Sequence, residues 1–233
     1  MENFNESKRF ARMAGLGYLI LAIGAGLSWN FNNSFFVDGN AIITAENIVK
    51  NEFKFILAII LGIIGQLGFI LLGLSLYWLL RQVSKYISKL MVTLLLISIP
   101  ITFSAIIFQA GALVILKRAE YLNVFNIEQI QAISTALFSI YNTGIHIVTL
   151  FWGLWLFPFA YLVYKSNFFP KILAILLVIS GLSYCFASMT SLISPIFYSK
   201  VVSFLSIPES LGEVIMMLWL LIKGIYIKKV NVA

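Results

Sequence analysis

The chain has 233 residues, of which 61% are hydrophobic and only 11% charged, and its net charge is +7. Soluble domains of this length carry about 25% charged residues; this shortfall, with a mean hydropathy of +0.99, excludes an ordinary water-soluble fold and places the chain in lipid. The positive charge does not indicate nucleic acid, because the basic residues flank apolar runs as membrane anchors do.

The first apolar run, about 10–30, follows Lys8, Arg9 and Arg12 and has the outline of a signal peptide, with small residues at Gly24 and Gly26. It is expected to be a retained first helix. Further runs follow at about 54–80, 90–116, 135–164, 171–193 and 207–227. Each meets the roughly 20-residue requirement of a hydrocarbon slab ~30 Å thick. Backbone polar groups in lipid must bond internally, so each run is expected to be a helix. The sequence therefore predicts an all-α, polytopic bundle of six transmembrane helices forming one membrane domain over 1–233. Pro100 and Pro158 fall inside the third and fourth runs, where a proline kinks a helix. The single cysteine, Cys185, lies in an apolar run and has no partner for an internal disulfide.

An even number of spans puts both termini on one side, and charge chooses the side. Lys8, Arg9, Arg12, Arg81, Lys85, Lys89, Lys165, Lys171, Lys223, Lys228 and Lys229 fall on the side of the termini, against Lys50, Lys54, Lys117, Arg118 and Lys200 on the other. That asymmetry predicts cytoplasmic termini in a cell membrane. Each of the three outer connections carries a helix-start signal: Thr44 with Asn47, Asn126 with Gln129, and Ser206 with Glu209. A short oxygen-bearing side chain at a helix N-cap accepts a backbone N–H, and a Glu or Gln three residues on can reciprocate. Pro208 suits a first helical turn, so Glu209 is read as part of a capping box. Glu213, one turn deeper, is not explained in that way.

Polar residues in a lipid-embedded bundle should turn toward other helices or a wet cavity. At helical spacing they form stripes: Gly62, Gln66, Phe69 and Gly73; Ser98, Thr102, Ala105 and Gln109; Ser139, Asn142, His146, Thr149 and Gly153; Ser180, Tyr184, Ala187 and Ser191; Glu209, Glu213 and Met216. Most small and hydroxylated positions are expected to serve helix packing, as are Gly15, Gly17, Gly24, Gly26, Gly62, Gly65 and Gly68. Placed in the outer half of the membrane, Glu213 would lie roughly 6–9 Å inside its helix start. An ionised carboxylate there needs a partner, water or a proton. The candidate ligand-binding residues are Glu213, His146, Asn142, Gln109, Gln66 and Arg118, with Glu213 expected to face His146 or Arg118 across an outward-opening pocket.

A haem held by two histidines is impossible with one histidine, and His146, Glu209 and Glu213 are a thin donor set for zinc. No Walker loop, G-x-G-x-x-G or G-x-S-x-G is present. No cofactor or metal is expected.

With the runs in place, the chain resembles a family of bacterial multi-pass membrane proteins described as domain of unknown function 4386. The resemblance runs from about residue 9 to 225. It rests on "RMAGLGYL" (12–19), "GNAIITAENI" (39–48), "EYLNVFNIEQIQAI" (120–133), "YLVYKSNFFPKILAILLVISGLSY" (161–184) and "GEVIMMLWLLIKG" (212–224), in that order. It implies that Glu213, Trp219, Lys223 and Gly224 occupy family positions, and that Asn40 stands where the family has an aspartate, with Asp38 nearby. The family brings no activity, substrate or cofactor. Three functions are weighed: binding or transport of a small solute, lipid headgroup or proton; a structural or regulatory membrane subunit; and, ranked last, an intramembrane enzyme using Glu213 and His146. The partners expected are the lipid bilayer, a small solute or headgroup, and a second copy of the chain.

Overall fold

The computed structural model describes residues 2–117 and 122–226, with side chains from residue 5. The described residues form eight helices and no strands: α1 Glu2–Asn33, α2 Ala41–Lys50, α3 Glu52–Leu80, α4 Lys85–Leu116, α5 Ile127–Leu154, α6 Leu156–Lys165, α7 Lys171–Ile193 and α8 Pro195–Ile222. Six stretches are long and apolar enough to cross a membrane: Asn5–Asn33, Glu52–Leu80, Lys85–Leu116, Ile127–Lys165, Lys171–Ile193 and Pro195–Ile222. The chain is thus a six-span helical membrane protein by length and composition. Large apolar side chains remain exposed on these spans, among them Ile107, Leu182, Phe204 and Ile222; such surface is stable against acyl chains and costly against water.

The helix boundaries correct several expectations. Span 4 is two helices, broken at Trp155. Pro158 cannot donate to the carbonyl four residues back, Leu154, and its ring crowds that carbonyl, so α5 ends there. Pro100 is accommodated within α4. The largest difference is in span 6, which begins at Pro195 with Ser194 as N-cap, twelve residues before the expected start. Ser206 and Glu209 therefore do not form a capping box: Pro208 lies inside α8, and the Ser206 hydroxyl donates to the Ser203 carbonyl at 3.0 Å. In the connection between α1 and α3 the cap is Asn40 and not Thr44. The Asn40 side chain accepts from the Ile43 N–H at 3.0 Å, while Thr44 bonds back to Val37 and Asn40. An asparagine caps as an aspartate does. Gly39, at φ 70°, supplies the left-handed turn before it. The Asn126–Gln129 box forms as expected, each backbone N–H meeting the other's side chain at 3.0 and 2.9 Å.

Contacts divide the described residues into two units. The first draws on the described parts of Met1–Ile20, Leu67–Ile99 and His146–Ala233. Its aromatic centre is Trp155, stacked on Phe159 at 5.3 Å and met edge-on by Phe69 at 5.4 Å. Helices approach closely in it where side chains are absent. A Cβ at Gly17 would stand 2.6 Å from the Leu72 nitrogen, and one at Gly153 2.7 Å from the Gly181 carbonyl.

The second unit comprises Leu21–Gln66 and the described part of Pro100–Ile145. Phe35, Phe55, Phe138 and Tyr141 pack its core, with ring centroids 5.2–5.6 Å apart. Gly24 and Gly65 face each other closely there, whereas Gly26 has open space around it and is not a packing position.

The stripes are confirmed unevenly. Ser98, Thr102, Ala105 and Gln109 are all buried, and so are Ser180, Ala187 and Ser191. On α5 the buried face instead runs Ser134, Phe138, Tyr141 and Val148. Ser139 is exposed, and Asn142, His146 and Thr149 are half-buried at the edge of that face. Aromatic bulk at Phe138 and Tyr141 chose the face, not the polar residues.

Candidate functional site

Glu213 stands on α8 between Gly212 and the buried Met216 and Met217. Glycine at 212 sets the approach of α7 to α8. A Cβ there would meet the Ser180 hydroxyl and would lie 2.7 Å from the Leu176 carbonyl, so no larger residue fits without parting the helices. The Ser180 hydroxyl donates to the Pro208 carbonyl at 2.7 Å across the same seam.

This close seam brings Tyr184 onto the acid. Its hydroxyl donates to Glu213 Oε2 at 2.8 Å. From the other side the buried Tyr18 of α1 donates to Oε1 at 3.0 Å. Each carboxylate oxygen thus has one phenolic donor, drawn from a different helix. Tyr18 is aimed by its ring packing on Trp155 at 6.3 Å.

Glu209 lies one turn back on α8 and is half-buried. Its Oε1 is shielded from solvent and accepts no hydrogen bond among the described residues. It feels the charge of Glu213, and its own charge acts on the hydroxyls of Tyr184 and Tyr198. The single ion pair among the described residues is Lys117 with Glu52 at 2.6 Å, on exposed side chains. Neither acid of α8 is therefore neutralised by a described cation.

The depth differs from expectation. With α8 starting at Pro195, Glu213 is about 27 Å from the helix N-terminus and about 13 Å from its C-terminal end at 1.5 Å per residue. It lies past the middle of the span and not near its start. No ion pair joins His146 to it among the described residues. The imidazole packs edge-on to Tyr198 at 5.1 Å, and the His146 carbonyl accepts from Ser188 at 2.7 Å.

Gln66, Gln109 and Asn142 belong to the second unit, while His146 and Glu213 belong to the first. In the second unit Gln109 donates to Asn32 Oδ1 at 2.7 Å, and the Asn32 amide donates to the Tyr141 hydroxyl at 2.8 Å. All three are buried. Gln66 is buried as well, and its Oε1 accepts no hydrogen bond among the described residues. Arg118 lies outside the described residues.

Sequence reasoning singled out Glu213 but missed its partners. Tyr184 was on the stripe of span 5, and Tyr18 sits in "RMAGLGYL". The available signal was a phenol inside a glycine-rich apolar run, where its hydroxyl must find an acceptor.

Comparison with known proteins agrees with this architecture. A family model described as domain of unknown function (DUF4386) matches residues 13–224. The chain belongs to this family. Within DUF4386 the matched region takes in Tyr18, Tyr184, Glu209 and Glu213 together. An uncharacterized protein of Archaeoglobus fulgidus is 31% identical over 153 residues, covering 65% of this chain and 74% of that relative. No solved structure matches the chain.

Proposed function

We propose that this DUF4386 protein binds a proton or a small cationic solute at Glu213 and Glu209 and passes it across the membrane, with both termini in the cytoplasm. The observation that carries the reading is a carboxylate in a membrane span whose two described donors are neutral phenols, Tyr18 and Tyr184. Acidic side chains within spans are costly and typically mark ion or solute paths. Two neutral donors orient the carboxylate without cancelling its charge, which leaves a cation or proton as its complement. Glu209 Oε1, shielded and without a hydrogen-bond donor among the described residues, offers a second acceptor one turn away. The predominance of basic residues on the side of the termini supports the orientation.

The test is flux in proteoliposomes: proton movement read by entrapped pyranine, and uptake of labelled methylammonium. The wild-type chain is expected to pass at least one of them, and Glu213→Gln to abolish it while the protein remains folded. A second reading has its own support. The Tyr18–Glu213–Tyr184 bridge joins α1, α7 and α8, as a purely structural membrane subunit would need. If Glu213→Gln lowers the melting temperature and the wild type passes neither probe, that reading stands and the transport reading falls.

A further inference from the structure

The start of α1 carries a feature that the acid site does not use. Lys8, Arg9, Arg12, Met13 and Leu16 line a groove of about 430 Å³. Arg9, Arg12 and Leu16 follow one another at helical spacing on the exposed face of α1. The other faces of this segment are occupied. Phe10 stacks on Trp78 at 6.1 Å, Ala11 and Ala14 are fully buried, and a Cβ at Gly15 would stand 2.9 Å from the Leu221 nitrogen. None of the three cations of the groove forms an ion pair among the described residues. Glu6 is exposed nearby but does not line the groove.

The level of the groove follows from helix length. Arg9 to the end of α1 at Asn33 is about 36 Å at 1.5 Å per residue, a little more than the ~30 Å of hydrocarbon. With Asn33 at one interface, Arg9 and Arg12 reach the headgroups of the opposite leaflet. Aromatic and basic groups beside Phe10 mark the same interface: the Arg81 guanidinium lies 3.7 Å from the centre of the Trp78 ring. Met13 and Leu16 lie one turn deeper, where acyl chains begin.

We infer that this groove holds an anionic glycerophospholipid of the surrounding bilayer, its phosphate at Lys8, Arg9 and Arg12 and an acyl chain along Met13 and Leu16. Two guanidiniums present planar N–H forks that match phosphate oxygens. The apolar pair favours a lipid over free phosphate.

The experiment uses the full chain in neutral detergent, with binding of phosphatidylglycerol and phosphatidylcholine read by native mass spectrometry. Phosphatidylglycerol should bind more tightly. Arg9→Gln/Arg12→Gln should weaken it about fivefold per cation, roughly 25-fold for the pair, and leave phosphatidylcholine unchanged. Lys85→Gln/Lys89→Gln, which removes the same charge from the exposed start of α4, should keep the preference. Arg9→Lys/Arg12→Lys keeps the charge without the fork and should lose only a few-fold, which decides the matter if the glutamine variant fails to fold. An equal loss in the α4 variant, an unchanged preference in the α1 variants, or displacement of the lipid by millimolar inorganic phosphate would overturn the inference.

Discussion

Removing the Tyr184 hydroxyl tests whether the tyrosine bridge on Glu213 exists. Tyr184→Phe keeps the ring and deletes the 2.8 Å bond to Oε2, while the 3.0 Å bond from Tyr18 to Oε1 remains. A hydrogen bond to a charged group contributes about 1.5–3 kcal/mol, whereas polar contacts between membrane helices average about 0.6 kcal/mol. The larger figure should apply, because the acceptor has no described cation to fall back on and water is scarce at this depth. For a chain of this size each kcal/mol moves the melting temperature about 2–4 °C, so a fall of about 3–12 °C is expected in detergent. Tyr18→Phe should cost a similar amount. With Glu213→Gln as third member, a double-mutant cycle isolates the pairs. The two phenols meet different carboxylate oxygens, and glutamine keeps an acceptor oxygen at only one of those positions, so the tyrosine substitutions should cost less in the Glu213→Gln background, with a coupling of about 1 kcal/mol or more. Additive effects in the cycle, or a Tyr184→Phe protein as stable as wild type, would refute the bridge.

Gly212→Ala drives a Cβ to 2.7 Å from the Leu176 carbonyl, and should cost about 1–3 kcal/mol by overpacking, read as a lower melting temperature; Gly26→Ala, in open space, should not. Asn32→Ala leaves Gln109 and Tyr141 without their shared buried partner; two such groups at about 1–3 kcal/mol each predict a loss of roughly 2–6 kcal/mol by thermal or denaturant unfolding. Asn126→Ala removes half of the cap on α5 and should cost about 1 kcal/mol, with faster amide exchange confined to the first turn of that helix. A cysteine placed at the C-terminus of a Cys185→Ser chain should resist membrane-impermeant maleimide in intact cells; labelling there would reverse the proposed orientation.

The six spans were legible because hydropathy sums over some 20 residues, and a few polar side chains cannot reverse that sum. Their ends were harder. Tyr198, Lys200, Ser203 and Ser206 read as a loop followed by a cap, yet all four lie within α8. Once a partner helix supplies donors and acceptors, hydroxyls can bond back to their own helix, as Ser206 and Ser210 do to Ser203 and Ser206, and a proline can be carried in the interior. The buried face of α5 was misjudged for a related reason. Periodicity on α5 gave His146 and Asn142 a common face, but it could not weigh that face against the one bearing Phe138 and Tyr141, where larger apolar area is removed from water and lipid alike. Glu213 was legible because an acid in an apolar run is rare. Tyr18 was not, because a tyrosine in such a run is ordinary until its acceptor is known.

The two polar centres differ in a way that separates scaffolding from a candidate path. In the second unit Gln109, Asn32 and Tyr141 form a neutral chain of buried donors and acceptors. Such a chain fixes helix register and carries no net charge that would draw an ion in. On α8 two carboxylates stand one turn apart, and one of them is held by phenols that can turn their O–H bonds between acceptors. Deletion in the first centre should therefore act on stability alone. Substitution of Glu213 by glutamine keeps the shape and one acceptor oxygen while removing the charge, so any effect larger than its cost in stability must arise from what that charge attracts.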